Sequence, residues 1–228
     1  MERFGLIGYP AAHSLSPKLF SEAYGGKYPY DIIETPDFDE AWSRFIEGYR
    51  AVNVTMPFKA LAAQRADIKS PEVERTGAAN ILVKTAEGIV AHNSDYFAVL
   101  SILHDIIGTG AVGTVAVIGT GGAGRAAAAA VMDCGLQLQT FHHNEISEGV
   151  DADIIIYTLP SAVDGFDKLD CRCLIEANYK DPALNMIDAN SDGSLRIYVP
   201  GLVWLKRQAV YGYKIMTGRA PDVDALNP

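Results

Sequence analysis

Short apolar runs alternate with amphipathic stretches from the start of the chain. Phe4–Ile7 reads as a strand closed by Gly8-Tyr9-Pro10, and Pro17 marks the first turn of a helix running to Tyr24. Tyr30–Glu34 reads as a second strand, Phe38–Glu47 as an amphipathic helix and Ala51–Thr55 as a third strand. Lys59–Asp67 has a helical pattern, Ile81–Lys84 and Ile89–Ala91 a hairpin about Glu87-Gly88, and a helix follows from about Tyr96 to Ile106. Gly108-Thr109-Gly110-Ala111 is the best linker. Beyond it, Val115-Ala116-Val117-Ile118 is too apolar for a half-exposed strand and suits a buried parallel one. An alanine-rich helix runs from there to about Cys134. Strands are expected at Leu136–His142, Ile154–Tyr157, Cys173–Ala177 and Arg196–Val199, and a last helix from Gly201 to about Met216, capped by Gly218. The alternation predicts an α/β doubly wound layer in the second half.

Composition narrows the class. The 228 residues allow one large or two small domains, and 49% hydrophobic with 21% charged residues describes a globular protein. Lys and Arg number 19 against 28 Asp and Glu, a formal charge of −9, which argues against nucleic acid as the main partner. Cys134, Cys171 and Cys173 lack metal-ligand spacing, so a reduced, cytoplasmic protein without a metal is expected. No apolar run nears the ~18 residues of a membrane span, and the N-terminus has no apolar signal core.

Candidate chemistry gathers in four places. In Asn53-Val54-Thr55-Met56-Pro57-Phe58-Lys59, Asn53 and Thr55 share a strand face, Pro57 stops the strand, and Lys59 is carried just past the stop. Ser14 and Ser16 stand at a helix start, where hydroxyls either cap the helix or donate to a carboxylate ligand. Asp95 is either an N-cap or the partner of Lys59. Gly119-x-Gly121-x-x-Gly124, with Gly122, Ala123 and Arg125, follows a buried strand and opens a helix, which is the context of a dinucleotide pyrophosphate site. No carboxylate precedes Glu145 after the next strand. That tilts the expectation to NADP, with Arg125, His143 or Asn144 available to a 2′-phosphate and NAD not excluded.

Taken in order, His13-Ser14-Leu15-Ser16-Pro17, Asn53–Lys59, Gly77-Ala78-Ala79-Asn80, Asn93-Ser94-Asp95, the glycine turn, Gly201 with Gln208, and Gly218-Arg219-Ala220-Pro221-Asp222 resemble the shikimate dehydrogenase family nearly end to end. The resemblance implies two α/β domains around a cleft: a substrate domain, 1–96 plus 201–228, and a Rossmann-like dinucleotide domain, 97–200. It implies reversible NADPH-dependent reduction of 3-dehydroshikimate to shikimate in chorismate biosynthesis, by a monomer or homodimer. Lys59 would be the acid/base and Asp95 its partner. Ser14, Ser16, Asn53, Thr55, Asn80, Tyr179 and Gln208 would contact substrate. Gly119, Gly121, Gly122, Ala123, Gly124, Arg125, His143, Asn144 and Gly201 would contact the cofactor.

Departures concentrate in the cofactor half. His142-His143-Asn144 replaces the family's Asn-Arg-Thr cluster, and Tyr157-Thr158-Leu159 its Asn-Ala-Thr. Val203 and Trp204 stand for a glycine and a methionine. The ten residues from His143 to Ala152 are too few for the usual helix and edge strand, so a truncated sheet is expected. A quinate or NAD-dependent relative, and a shikimate-binding paralogue with little turnover, are the alternatives.

Overall fold

The computed structural model describes residues 1–108, 113–183 and 197–226. They form two compact units, Met1–Ser94 with Gln208–Pro228, and Asp95–Arg207.

In the first unit, β1 (Phe4–Gly8), β2 (Tyr30–Glu34), β3 (Ala51–Val54), β4 (Ile68–Lys69), β5 (Ile81–Lys84) and β6 (Ile89–His92) form one sheet of order β2-β1-β3-β5-β6-β4. β1 runs parallel to β2 and β3, while β5 is antiparallel to β3 and β6. The helices are α1 (Ser16–Ala23), α2 (Phe38–Gly48), α3 (Lys59–Arg65) and α4 (Pro71–Thr76). Phe38, Ala41, Trp42 and Phe45 fall at helical spacing on α2 and are buried against Ile7, Ile33, Val52 and Phe58. Asp37 caps that helix, its side chain accepting the Asp39 N–H at 2.8 Å.

Most elements match the sequence expectation, with two differences here. α3 stops at Arg65 because Ala66 is extended and Asp67 turns its carboxylate to the Ile89 N–H at 2.7 Å, leading the chain into β4. β4 and α4 were not expected. Two strand residues carry no period, although Pro71 at the helix start and Gly77 (φ +58°) at its end are the usual punctuation.

The second unit holds α5 (Ser94–Ile107) from Asp95 on, β7 (Thr114–Ile118), α6 (Gly122–Asp133), β8 (Gln137–Phe141), β9 (Val150–Tyr157), β10 (Leu169–Glu176), β11 (Ile197–Val199) and the start of α7 (Gly201–Thr217). Its sheet is parallel, in the order β11-β10-β9-β7-β8. That is the 2-1-3-4-5 order of the doubly wound folds, with the topological switch between β7 and β9.

One face of this sheet is covered by α5, α6 and Trp204 of α7. The other is covered by loop residues, because the connection from β8 to β9 contains no helix: Ile146, fully buried, with Phe166, Ala162 and Val163, fills the layer against Ile118, Ile155 and Tyr157. The two loops meet backbone to backbone at Gly165 (φ +85°), where a Cβ would lie 1.9 Å from the Ile146 carbonyl oxygen. The sheet is truncated as the short connection implies. The division falls at 94/95 and 207/208 where the sequence suggests 96/97 and 200/201, because the first turns of α7 pack into the second unit's core through Trp204 and Val203. The linker at 109–111 and the strand start at 196 lie outside the described residues.

Ile146 belongs to no helix or strand yet plugs the loop-covered face. Ile146→Ala is expected to cost about 2–5 kcal/mol, read as a lowered midpoint in denaturant unfolding with unchanged slope. An ordinary surface-loop substitution would leave the midpoint in place.

Candidate functional site

In the first unit the strand register gathers the polar set along one sheet edge. β1 and β3 end there, β5 begins there, and β6 ends there, since Asn53 faces Ile81 and Ile81 faces His92. Asn80 stands at the centre. Its backbone carbonyl accepts the Val54 N–H at 2.8 Å and the Asn53 side-chain amide at 3.4 Å. Its own side chain accepts the Ser94 N–H at 2.7 Å and donates to Ser94 Oγ at 3.0 Å. Ser94 Oγ in turn donates to Gln208 Oε1 of α7 at 3.1 Å. Gln208 reaches this edge because α7 approaches it over Gly212, where a Cβ would meet Ile81 and Ser94 at 2.9 and 3.1 Å.

At the other end of the set, Tyr30 Oη donates to Asn53 Oδ1 at 2.8 Å and Tyr213 Oη donates to the Ser16 carbonyl at 3.2 Å. Burial, with Tyr213 alongside, pushes the Tyr30 hydroxyl well above the usual range, so it stays a neutral donor. Ser14 Oγ accepts the Ser16 N–H at 3.2 Å and donates to Ser16 Oγ at 3.1 Å. The N-cap is Leu15, with no side-chain cap, so the serines are joined to each other beside α1 rather than capping it in the usual manner. Thr55 and Lys59 are half-buried: Thr55 opens the turn after β3, with its carbonyl accepting the Phe58 N–H at 3.0 Å, and Lys59 is the first residue of α3.

The turn after β6 is held from beneath. Asn93, fully buried, donates from its side chain to the Ala78 carbonyl at 2.8 Å. Its N–H donates to Glu72 Oε1 at 3.3 Å, and His92 Nδ1 lies 3.5 Å from the same oxygen. Burial of Glu72 opposes its charge, but the hydrogen bonds from His92 and the Asn93 backbone outweigh it and hold the carboxyl below its ordinary value of 4.5.

In the second unit the glycine turn sits at the carboxyl end of β7, beside the switch to β9. Gly119 (φ +103°) needs glycine's freedom, and a Cβ there would strike Thr158 Oγ1 at 2.4 Å. Thr158 closes the switch by donating through both its N–H and its hydroxyl to the Ile118 carbonyl, each at 2.9 Å. At Gly124 a Cβ would lie 1.8 Å from the Gly119 carbonyl, which is the close helix–strand approach the third glycine allows. Gly121 faces open space at the N-cap of α6, with no side chain capping that helix, and Gly122, Ala123 and Gly124 form its first turn. Arg125, His143 and Asn144 are exposed. Gly201 is buried against the Asn178–Tyr179 backbone, where a Cβ would come within 2.4 Å of the Asn178 carbonyl oxygen, and Tyr179 is half-buried.

Asp95 is a correction to the capping alternative: it lies inside the first turn of α5, and its Oδ1 accepts the Trp204 indole N–H at 3.0 Å. Sequence reasoning passed over Ser94, Tyr30, Tyr213, Gly212 and Trp204 as site residues. Glycine inside the last helix was the one readable signal among them. Glu145 was seen but not placed; its carboxylate folds back over the end of β8 to accept the His142 N–H at 2.6 Å, while His142 Nδ1 lies 3.1 Å from Thr120 Oγ1. Among the described residues no group of three or more His, Cys, Asp or Glu could hold a metal, and no helix is long and apolar enough to cross a membrane.

A parallel sheet of 2-1-3-4-5 order with an uncapped glycine turn at its switch point defines a Rossmann-like, doubly wound α/β fold. Residues 6–82 match the family profile described as shikimate dehydrogenase substrate binding domain. A shikimate dehydrogenase (NADP(+)) of Thermus thermophilus is 35% identical over 144 residues, 60% of this chain and 54% of that protein, so the match spans about half that relative's length. One from Natronomonas pharaonis is 28% identical over 267 aligned positions, covering 100% of this chain and 97% of that protein. The crystal structure of the Thermus thermophilus shikimate 5-dehydrogenase in complex with shikimate superposes with a TM-score of 0.83 at 25% identity, over 99% of this chain and 96% of that one. Its complex with NADP(H) and shikimate gives 0.81 at 26%, over 99% and 97%. Residues 6–82 are thus similar to the substrate binding domain of shikimate dehydrogenases, and the whole chain is similar in fold to solved members of that family.

The link of Glu72 to the Asn93 turn has a pH signature. A carboxyl held low contributes stability that is complete above its ordinary pKa of 4.5 and is lost as pH falls through the lower folded-state value. Glu72→Gln is therefore expected to destabilise the chain by roughly 1–3 kcal/mol at neutral pH. The gap to the parent should close on acidification below 4.5 in urea melts taken across pH.

Proposed function

We propose that the chain is an NADP-dependent shikimate dehydrogenase, interconverting 3-dehydroshikimate and shikimate. One observation supports the reading: Asn53, Asn80, Ser94 and Gln208 are joined in one hydrogen-bond network along one sheet edge, and amide and hydroxyl groups held in this way would suit a substrate's hydroxyls and carbonyl. The named relatives, and a solved relative in complex with NADP(H) and shikimate, support substrate and cofactor.

Ser14 and Ser16 would hold the substrate carboxylate. Asn53, Thr55, Asn80, Tyr179 and Gln208 would orient its ring hydroxyls and carbonyl. Lys59 would donate the proton to the ketone oxygen and stabilise the alkoxide charge developing there, with Asp95 supporting the cationic form. Gly119 and Gly124 allow the tight turn and the close approach of α6 to the strand, Gly121 leaves open space at the helix N-cap, and Gly122, Ala123 and the helix start would offer N–H groups to a pyrophosphate, so these residues fit a nicotinamide dinucleotide. When bound, that cofactor supplies the hydride. Arg125, His143 and Asn144 would face the 2′-phosphate, and Gly201 the cofactor's other end. Lys59→Ala is expected to lower kcat by roughly 10²–10⁴-fold in the NADPH absorbance assay while shikimate binding survives. Equal turnover in parent and variant would reject the role of Lys59. No turnover in the parent with shikimate or quinate, alongside measurable shikimate binding, would favour the binding-paralogue alternative.

A second reading, NAD in place of NADP, is favoured by Glu145. Its carboxylate at the end of β8 is the group type that accepts from a ribose 2′-OH and repels a 2′-phosphate. Titrating NADP and NAD in parallel separates the two. On the NADP reading NADP binds more tightly and Arg125→Ala narrows the difference; on the NAD reading the order reverses and Glu145→Gln narrows it.

A further inference from the structure

We infer that the open edge of β8 is an interaction surface whose partner is a second copy of this chain, the two β8 strands pairing antiparallel about a twofold axis at Gln139. The surface lies wholly within the second unit, where β8 is the outermost strand beside β7, and it is independent of the groups given roles in the reaction.

An edge strand offers unpaired N–H and C=O groups, and proteins blunt such edges with short strands, charges or proline. Among the described residues four strands end a sheet, and three of them carry such a device. β4 has two residues, one of them Lys69; β11 has three and runs into Pro200; β2 carries Asp31 and Glu34. β8 has none. It reads Gln-Leu-Gln-Thr-Phe, without charge or proline, in unbroken register with β7, and Gln137, Gln139 and Thr140 are exposed.

The register decides which groups face outward. The Gln137 N–H donates to the Gly113 carbonyl at 3.3 Å and the Phe141 carbonyl accepts the Gly119 N–H at 2.9 Å, so the odd-numbered residues bond towards β7. By the alternation of a strand, Leu138 and Thr140 turn both backbone groups to the open edge. A second copy turned about Gln139 sets its Thr140 opposite Leu138 and its Leu138 opposite Thr140, and each such pair exchanges two N–H···O bonds. Gln139 then meets its own counterpart in the closer kind of pair, which has no backbone bond between its members. Leu138, packed on the α6 side, and Phe141, on the loop-covered face, are both half-buried and would be covered further.

Charge selects the occupant. A second copy brings the same charges, and like charges opposite one another destabilise a strand pair. β8 has none to set against itself. The Glu145 carboxylate, held on the His142 N–H at 2.6 Å, lies past one end of the strand. Antiparallel pairing sends the two copies of that end apart by about 20 Å at ~3.3 Å per residue, beyond the Debye length of about 8 Å.

The test is sedimentation velocity on the full chain as parent, Gln139→Lys, Gln139→Glu and an equimolar mixture of the two variants. The paired area is small, so the parent is expected to dimerise at roughly 10–100 µM protein. Each variant alone should weaken the dimer roughly 10-fold or more, with its thermal midpoint unchanged because Gln139 is exposed, and the mixture should restore it by setting lysine against glutamate across the axis. A parent that stays monomeric to about 1 mM, a dimer that persists in both variants, or a mixture no more associated than its components would each overturn the inference.

Discussion

Asn80 is the residue on which the first unit's polar edge depends. It stands where β3 ends and β5 begins, and it must satisfy a backbone carbonyl, a backbone N–H and a side-chain amide in a place that is 4% exposed. A buried amide left unpaired costs a large part of a domain's marginal stability, so this position admits few arrangements. In the arrangement found, its carbonyl serves Val54 and Asn53, its N–H donates to the His92 carbonyl at 3.0 Å, and its side chain grips Ser94 twice. Three strand ends and the start of α5 are thereby tied at one point. The polar edge is rigid because its members are one another's partners.

The same economy explains how this edge and the segment leading from it are supported by groups outside the polar set. Glu72, ionised despite its burial, holds the Asn93 N–H, and Asn93 holds Ala78 two residues before Asn80. Gly212 contributes by lacking a side chain, which lets Gln208 come down to Ser94. None of these has a candidate role in the reaction, yet each sets the position of a residue that does, and preorganisation of this kind is where a positioning shell acts on rate.

Much of this was legible in the sequence, and what escaped follows a physical rule. Strands such as Phe4–Gly8 and Thr114–Ile118 were readable because burial on both faces leaves an unbroken apolar run, and Gly119-x-Gly121-x-x-Gly124 because each glycine answers a steric demand that is local to the turn. β4 was unreadable because two residues have no period, and its pairing with β6 is decided by Asp67 and Ile89, which lie far apart in the chain. Ser94 was hidden for the opposite reason: a serine at a helix start looks like an ordinary cap, and its bonds to Asn80 and Gln208 exist only once 14- and 114-residue separations have been closed.

The truncation in the second unit separates what a dinucleotide fold requires from what it can lose. The switch point is kept: β7 and β9 remain neighbours, Thr158 ties them through Ile118, and the glycines still let α6 approach the strand. What is lost lies beyond β8, where Ile146 and the loop carrying Phe166 close the sheet in place of a helix. Burying one isoleucine and one phenylalanine recovers only a few kcal/mol of the hydrophobic contribution a helix layer would make. The covering loop is consequently drawn tight, with Gly165 pressed on the Ile146 carbonyl and the Glu145 carboxylate drawn back onto the His142 N–H. The Glu145 carboxylate thereby lies at the end of β8, the strand end at which doubly wound dinucleotide folds commonly carry the acid that accepts from the ribose.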